Sequence, residues 1–258
     1  MNIIANRINH ALYTAINHLP KHGKDLKETL AYLSARMQYE IHSTERDRAA
    51  IVRTFTDFIN LFERPISLMT ISFSSTILFM LRKVKNKLNY IYVSESRPLN
   101  EGTLLAQHLS NNGIKTHLIT EAQIGYYMRN VDIVLLGADS VFMNGAIINK
   151  IGSFVMSVIA NYYNKPIYVV CETNKVAPSR VTFKDEVLER KNINEIIHND
   201  IKNIDVENIY FELVPSKLIT SYLTEKGNNS KKDLKLLAQN FDQIVKEIDN
   251  FFLKTFNT

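Results

Sequence analysis

From residue 66 onward, short apolar runs alternate along the chain with amphipathic stretches. The apolar runs have the length and the β-branched content of buried strands, which predicts strands at 66–71, 91–93, 114–119, 131–136 and 167–170. The stretches between them repeat apolar residues at helical spacing, which predicts helices at 75–83, 102–111, 121–129 and 152–163. Because strands and helices that alternate in this order are typical of βαβ units, the sequence predicts an α/β fold with a parallel sheet flanked by helices.

The two ends of the chain are predicted to be helical. Residues 1–62 have apolar positions at helical spacing and almost no β-type alternation, which predicts a helical N-terminal domain before an α/β domain at 63–258. The charged segment 180–205 predicts a loop with one helix. Residues 231–256 predict an amphipathic helix, whose mixed acidic and basic face favours packing on its own domain or a second subunit over a membrane. Its apolar stripe consists of Leu234, Leu237, Phe241, Ile244, Val245, Ile248 and Phe252.

Composition narrows the classes of fold and partner. The 258 residues include only eight glycines and six prolines, fewer than turn-rich folds use, so an all-β sandwich or barrel is not expected. The net charge of +5 is modest, and no run of five consecutive lysines or arginines occurs. The densest basic stretch, 82–87, ends a predicted helix, where the helix dipole favours cations. Nucleic acid is therefore not predicted as a partner.

Several features of the sequence favour a cytoplasmic location, and the histidines do not predict a metal site. Cys171 is the single cysteine, which excludes an internal disulfide and suits a reducing compartment. The longest uncharged run, 65–81, contains six serines or threonines and is too short and too polar to span a bilayer. No secretory signal is recognisable at the start of the sequence. His18 and His22 have helical spacing, but Pro20 breaks the helix that would align them on a metal.

The candidate chemistry lies where predicted strands end. No dinucleotide fingerprint, P-loop, nucleophile elbow or H-E-x-x-H motif occurs, so no cofactor is predicted. Asp139 follows the strand at 131–136, and Asn149 and Lys150 come directly before a predicted helix. Because an amide, an ammonium and free helix N–H groups suit an anion, these positions indicate a phosphate pocket at one edge of the sheet. Helix caps and loop ion pairs explain the same residues equally well, including those at neighbouring strand ends, which are Ser74, Ser75, Thr76 and Arg97.

Motifs between about residue 65 and residue 227 resemble, in the same order, those of one superfamily. They include Glu95-Ser96-Arg97-Pro98, Gly137-Ala138-Asp139, Asn149-Lys150-Ile151-Gly152 and the segment 214–227. The superfamily comprises the alpha, beta and delta subunits of eukaryotic initiation factor 2B, methylthioribose-1-phosphate isomerase and ribose-1,5-bisphosphate isomerase. The resemblance implies a helical N-terminal domain followed by a Rossmann-like parallel sheet flanked by helices, in a homodimer or higher oligomer.

The resemblance also implies roles for individual residues. In the isomerases, a cysteine after the first strand and the aspartate of the Gly-Ala-Asp motif interconvert aldose and ketose. In this sequence Asp139 matches the aspartate, and Ser72 stands at the position of the cysteine. A serine hydroxyl without an adjacent base cannot exchange a proton near neutral pH as a thiol can. The isomerases' Arg-Gly-Ala phosphate segment has no counterpart near the N-terminus, and 46–50 does not substitute for it. The residues that match those holding the phosphorylated sugar are Ser74, Ser75, Thr76, Asn149, Lys150 and Lys175.

The serine at position 72 favours the non-catalytic branch, and the segments 121–128 and 172–175 resemble the alpha subunit. We predict an initiation-factor-2B-like protein that binds a phosphorylated sugar or nucleotide at the carboxyl edge of the sheet, with a translation initiation GTPase complex as a candidate partner. The first alternative is an aldose–ketose isomerase of a phosphorylated pentose, of the ribose-1,5-bisphosphate or methylthioribose-1-phosphate type. The second is a structural assembly subunit with a vestigial pocket.

Overall fold

The computed structural model of the protein describes residues 45–179, 181, 190–197 and 203–256. Its centre is a seven-stranded sheet, and three further strands, β5, β6 and β8, form a second sheet described below. With the strands numbered along the chain, the order in the central sheet is β10-β9-β7-β4-β1-β2-β3, and every neighbouring pair is parallel except β9 and β10. The α/β prediction with a mostly parallel sheet is therefore confirmed. The strands are β1 (Ile66–Ile71), β2 (Leu88–Ser94), β3 (Thr116–Ile119), β4 (Ile133–Leu136), β7 (Ile167–Val170), β9 (Ser221–Thr224) and β10 (Gly227–Asn229).

Helices cover both faces of this sheet. On one face, apolar residues of the helix α1 (45–59) pack in one hydrophobic cluster with α2 (Ser75–Lys83) and α3 (Glu101–Asn111). On the other face, α5 (Ser153–Tyr162) and the long α6 (Lys231–Phe256) contribute to a second cluster. Successive residues of β1 enter opposite clusters, Leu68 the first and Met69 the second. Because both faces are buried, the strands are continuously apolar, which is why they were recognisable in the sequence.

The predicted helices differ from the structure mainly at one place. The helix predicted at 75–83 is confirmed at its bounds, and α3 and α5 lie within a residue of the predicted ends. The stretch predicted as one helix at 121–129 is broken into a 3₁₀ turn, the short helix α4 (Ile124–Tyr127) and a second 3₁₀ turn. Thr120 and Gln123 form a capping box at its start, so the chain enters through a tight turn before it becomes helical.

A second, three-stranded antiparallel sheet was missed by the sequence analysis. It consists of β5 (Ser140–Val141), β6 (Ile147–Lys150) and β8 (Phe211–Val214), with β6 in the middle. A tight turn at Asn144 and Gly145 joins β5 to β6, and the side-chain oxygen of Asn144 accepts a hydrogen bond from the N–H of Ala146 at 2.9 Å. Asn149 and Lys150, predicted to lie directly before a helix, are strand residues. They are thereby held on a paired strand rather than on a free loop.

The C-terminal helix was predicted at its observed bounds. Leu234, Ala238 and Phe241 are buried in the protein's own core, so the first half of its apolar stripe packs on its own domain. Of the predicted N-terminal domain, residues 1–44 lie outside the described residues, and the boundary at 62 stays a prediction. Most of the segment 180–205 also lies outside them. Within the described residues, no helix is both long and apolar enough to cross a membrane, and no cluster of metal-binding side chains occurs.

An ion pair ties the start of β4 to the start of β1. The Arg64 guanidinium contacts both oxygens of Asp132, at 2.6 and 3.2 Å, and the N–H of Ser67 donates to the same carboxylate at 2.8 Å. Burial acts to raise the pKa of Asp132, but the hydrogen bonds from Arg64 and Ser67 outweigh it and hold that pKa below its ordinary value. The ionised carboxylate therefore stabilises the junction of the two strands.

We expect Asp132→Asn to lower the free energy of unfolding at pH 7 by about 1 kcal/mol, because the pair is partly screened by solvent. The contribution of a carboxyl with a depressed folded-state pKa is present above its unfolded pKa and is lost as pH falls through the folded one. The difference between wild type and variant should therefore shrink below pH 4 in urea unfolding. Asp57→Asn, at an exposed position of α1, is the control and should change stability little at either pH. A difference for Asp132→Asn that is independent of pH would contradict the assignment.

Candidate functional site

A cavity of about 480 Å³ opens at the carboxyl ends of β1 and β4. This is the edge at which parallel α/β sheets bind ligands. Residues from α1, the β1–α2 turn, α3, the Gly137–Asp139 segment and β6 surround it. The polar and charged residues that line it are Arg48, Ser72, Ser74, Ser75, Thr76, Glu101, Asp139, Asn149, Lys150, Lys175 and Tyr210.

The structure brings together all but one of the residues singled out in the sequence. Ser72, Ser74, Ser75, Thr76, Asp139, Asn149, Lys150 and Lys175 line this one cavity. Arg97 does not. Its guanidinium is exposed and donates to the carbonyl of Ile196 at 3.3 Å. The reason lies in the turn after β2, where the Ser96 hydroxyl accepts from the N–H of Ser72 at 2.7 Å and so occupies the position next to β1.

The first turn of α2 gives the cavity a helix N-terminus. Ser74 is the N-cap residue, and its hydroxyl accepts from the N–H of Ile77 at 3.3 Å. The first turn of the helix contains no acidic residue. The remaining N–H groups of this turn therefore keep their partial positive charge on the side of the cavity, where an anion is favoured.

The N-terminus of α5, in contrast, is already occupied. The Glu212 carboxylate on β8 accepts from the N–H of Phe154 at 2.9 Å and is also bonded by the N–H groups of Gly152 and Ser153. Burial raises the pKa of Glu212 even though these N–H groups act to lower it. The prediction that free N–H groups of this helix join Asn149 and Lys150 at an anion site is therefore wrong. The cause is a carboxylate from β8, a strand that the sequence analysis did not recognise.

Lys150 lines the cavity, and its side chain is buried and paired. Only 3% of the residue is exposed, and its ammonium donates to Glu101 Oε1 at 2.8 Å. The ammonium also lies 4.7 Å from the ring centroid of Tyr210, a distance suited to a cation–π contact. Burial and a hydrogen bond to Glu195 raise the pKa of Tyr210 to about 12, so this ring stays neutral.

Asn149 and Lys150 are further connected through Ser153. The Asn149 side-chain amide donates to the Ser153 hydroxyl at 2.9 Å, and that hydroxyl donates to the Lys150 carbonyl at 2.6 Å. Since the amide nitrogen is engaged in this bond, the orientation of the Asn149 side chain is fixed. Its oxygen would lie 3.7 Å from a Cβ placed on Gly137, whose bare backbone also lines the cavity.

Lys175 is positioned by a buried carboxylate and a carbonyl. Its ammonium donates to the carbonyl of Ala138 at 2.6 Å and lies 3.7 Å from Glu172 Oε2. Glu172 is 1% exposed, and its other oxygen accepts from the Thr76 hydroxyl at 2.8 Å. The carboxylate therefore joins α2 to Lys175 and compensates the lysine's charge from behind the cavity.

Ser72 and Asp139 both line the cavity, as the isomerase alternative requires. Ser72 adopts a left-handed backbone conformation with φ 66°, which is uncommon for a residue other than glycine. The N–H of Asp139 donates to the carbonyl of Ile148, so β6 holds its backbone in place. Cys171 is fully buried and belongs to the core rather than to the cavity lining.

The sequence analysis missed three polar residues of the cavity lining, Arg48, Glu101 and Tyr210, and Arg48 is the one that brings a positive charge. It lies on α1, and its guanidinium donates to the hydroxyl of Ser75 at 3.0 Å. Its Nε is buried with no hydrogen-bond partner, and the described residues place no carboxylate within ion-pair distance of it. The segment 46–50 was set aside because it does not match the isomerases' Arg-Gly-Ala motif. The one feature of the sequence that could have indicated Arg48 is an arginine near the start of the helix that precedes β1.

A family model, similar protein sequences and a solved structure all match this chain. The model of the Initiation factor 2 subunit family matches residues 3–231. A methylthioribose-1-phosphate isomerase of Caldanaerobacter subterraneus is 37% identical over 146 residues, which are 54% of this chain and 42% of that protein. A ribose 1,5-bisphosphate isomerase of Archaeoglobus fulgidus is 29% identical over 236 residues, covering 84% of this chain and 70% of that one.

A solved structure of translation initiation factor eIF-2B from Pyrococcus horikoshii OT3 superposes with a TM-score of 0.69 at 26% identity, covering 84% of this chain and 74% of that one. The chain spans less than half the length of the methylthioribose-1-phosphate isomerases that it matches. The relatives thus include sugar-phosphate isomerases as well as initiation factor subunits. Because the family model covers most of its length, the chain belongs to the Initiation factor 2 subunit family.

Proposed function

We propose that this chain is a cytoplasmic initiation-factor-2B-like protein that binds a phosphorylated sugar or nucleotide in the cavity and acts through binding. The observation that carries the proposal is the convergence of Arg48, Lys150 and Lys175 with the N-terminus of α2 on one cavity. Guanidinium, ammonium and helix N–H groups are the donors that proteins use for phosphate.

The charges inside the cavity indicate where the phosphate lies. Lys150 and Lys175 each have a carboxylate partner, in Glu101 and Glu172. Arg48 has none among the described residues and lies beside the first turn of α2. Within the part of the chain that the structure describes, the uncompensated positive charge is therefore at the Arg48 end, which favours the phosphate there. The sugar would then extend towards Asp139 and Asn149, whose side chains suit hydroxyl groups.

Isomerisation remains the second candidate because Ser72 and Asp139 share the cavity. Moving a proton between two sugar carbons needs a group that gives and takes protons near neutral pH. A serine hydroxyl does so only beside a base, whereas a thiol with a pKa near 8.5 is suited to it. With serine at position 72, we propose that the bound sugar or nucleotide is released unchanged. A pocket without any ligand, in a purely structural subunit, is the third candidate.

The proposal is tested by thermal unfolding of the protein with ribose-1,5-bisphosphate, methylthioribose-1-phosphate, AMP and glucose 6-phosphate. We expect at least one to raise stability, by about 2.7 kcal/mol at a hundredfold excess over its dissociation constant. Ribose without phosphate is the control ligand and should have no effect. No shift with any of the phosphates would contradict the proposal and favour the structural subunit.

NMR of the bound sugar then separates binding from catalysis. Unchanged aldose after long incubation supports a binding protein. Accumulation of ketose that is lost in Asp139→Asn and kept in Cys171→Ser would instead establish the isomerase, since only Asp139 lines the cavity.

We further propose that the chain assembles as a homodimer or higher oligomer and takes part in a translation initiation complex. Membership of a family whose members include initiation factor subunits supports this. Light scattering of the purified chain at micromolar concentration should give at least twice the monomer mass. A monomer would contradict the assembly but leave the phosphate proposal standing.

A further inference from the structure

Helix α5 exposes a face without charge. From Ile151 to Asn164 the chain contains no Asp, Glu, Lys, Arg or His. Phe154, Val158 and Tyr162 follow one another at intervals of four residues, so they share one side of the helix. All three are exposed, Tyr162 to 80%. Solvent-facing helix surfaces of this length ordinarily carry charged residues.

Neighbouring side chains extend this surface, here called the α5 face. Val155 is 50% exposed beside Phe154, and Tyr163 packs edge-on against Tyr162 with ring centroids 5.1 Å apart. Tyr126 on α4, a helix that contacts α5, is also exposed and carries the Arg129 guanidinium over its ring. The α5 face comprises Tyr126, Phe154, Val155, Val158, Tyr162 and Tyr163.

We propose that the α5 face is the surface on which a second copy of this chain docks, with the two α5 helices packed across a twofold axis. This inference rests on the proposed homodimer and assigns its interface. In such an interface each copy presents the same patch, so the patch must complement itself. Helix α5 satisfies this, because it has no charged residue that would meet its own copy when the two chains join. The Arg129 guanidinium lies on the α4 part of the face, over the ring of Tyr126.

The chemistry of the face also suits its own copy. Tyrosine hydroxyls and the amides of Asn161 and Asn164 both donate and accept hydrogen bonds, so they can pair with their own equivalents. Aromatic residues are enriched, and charged ones depleted, in the centres of protein interfaces. A partner protein that binds through acidic or basic side chains could form no ion pair with this helix, because it has no charged residue.

The size of the face is adequate for the centre of a dimer interface. At their observed exposures, the six side chains present on the order of 500 Å². That lies at the upper end of the largest apolar patches on ordinary monomers. It is also more than half of the roughly 800 Å² that each partner buries in a standard interface. Polar residues at the rim would supply the remainder.

The C-terminal helix has an apolar stripe that favoured a second subunit in the sequence, but the described first half of this stripe is not available to one. Leu234 and Phe241 are buried in the protein's own core, so they are not available to a second subunit. Leu236 on α6 is exposed to 54% but lies outside that stripe. It therefore provides a matched position for a control.

The inference is tested by placing a charge on the α5 face of the full chain. Val158→Glu and Tyr162→Glu each introduce two charges per dimer, because the substitution occurs in both copies. Burying unpaired like charges is strongly unfavourable, so we expect the mass measured by light scattering at 10 µM to halve. Leu236→Glu introduces the same charge on another exposed apolar site and should leave the mass unchanged.

Cysteine cross-linking gives a second measurement that does not depend on disruption. Phe154, Val155, Val158 and Tyr162 are each replaced by cysteine, and the protein is oxidised. Since Cys171 is fully buried, the native chain contributes little background. Two copies of the same residue can bridge only where they approach each other at the twofold axis. We expect a covalent dimer from at least one of the four and none from Leu236→Cys.

The outcomes separate the interface from the rest of the proposal. A dimer that persists in both glutamate variants, without cross-linking, would overturn the α5 interface while the homodimer stands. Charged variants that melt earlier at unchanged mass would show that another part of the same chain covers the face, which also overturns it. A wild-type monomer would overturn both homodimer and interface, and the phosphate titration would remain as an independent test.

Discussion

Gly102→Ala is expected to lower the free energy of unfolding by about 3 kcal/mol. A Cβ on Gly102 would lie 1.7 Å from the carbonyl oxygen of Ser94 and 2.9 Å from its carbonyl carbon. Both atoms are backbone at the end of β2, so no side-chain rotation can remove the clash. Overpacking typically costs 1–3 kcal/mol, and we expect about the upper end because α3 itself must move away from the sheet.

The same movement should reach the cavity. Glu101 is the first residue of α3 and holds the Lys150 ammonium at 2.8 Å. Displacing the helix would separate this pair and leave a buried ammonium without its carboxylate. Because the freed ammonium adds positive charge to the cavity, we expect tighter phosphate binding in any Gly102→Ala protein that folds. Denaturant unfolding measures the first effect, and titration with AMP or ribose-1,5-bisphosphate measures the second.

Gly125→Ala is the matched control. Gly125 lies in α4, and of the described residues a Cβ there would meet only Ile159, at an ordinary 3.9 Å from its terminal Cδ1. Alanine should be neutral or stabilising by up to about 1 kcal/mol, because it reduces the freedom of the unfolded chain. Equal unfolding midpoints for the two variants would contradict the role assigned to the approach of α3 to β2.

The central sheet was largely predictable because its strands are buried on both faces. Runs such as Val134 to Leu136 are apolar without interruption, and amphipathic helices separate them at regular intervals. The small sheet gave no such signal. β5 is only two residues long, and β8 begins after the charged segment 180–205. Its existence depends on pairing between β6 and a strand about sixty residues later, which local patterns do not contain.

The cavity lining was predictable to the extent that strand ends define it. The carboxyl ends of parallel strands meet at one edge, which brought Ser74 and Asp139 together, whereas Asn149 reaches the cavity from β6 of the antiparallel sheet. Lys175 was named only through the family resemblance. Arg97 satisfied the strand-end criterion but is turned away by the Ser96 bond to Ser72. Whether these side chains bind a ligand stays a prediction.

Two features of the cavity depend on long-range placement. Glu212 reaches the N-terminus of α5 from β8 and occupies N–H groups that the sequence predicted to be free for an anion. Arg48 enters from α1, a helix that the sequence analysis assigned to a separate domain. Its guanidinium meets Ser75 only because α1 packs beside α2 on the same face of the sheet. Neither spacing nor periodicity within one element could reveal these contacts.

Arg48→Met is expected to reduce the affinity for a phosphorylated ligand about 10- to 100-fold. A hydrogen bond to a charged group is worth about 1.5–3 kcal/mol, and each 1.4 kcal/mol is a factor of ten. Among the described residues, Arg48 has no carboxylate partner, and its buried Nε has no hydrogen-bond partner. A phosphate oxygen would supply that partner. Calorimetric titration with AMP and ribose-1,5-bisphosphate measures the loss.

Two further variants make this result specific to the guanidinium. Arg53→Met alters an exposed arginine of the same helix that does not line the cavity, so affinity should be unchanged. Arg48→Lys keeps the charge but loses the planar fork that matches two phosphate oxygens, so we expect an intermediate affinity. If Arg48→Met bound as tightly as wild type, the phosphate could not lie at the N-terminus of α2. Lys150 and Lys175 would then bind the phosphate instead. For this the ion pairs Lys150–Glu101 and Lys175–Glu172 would have to break, because each carboxylate compensates the charge of one ammonium.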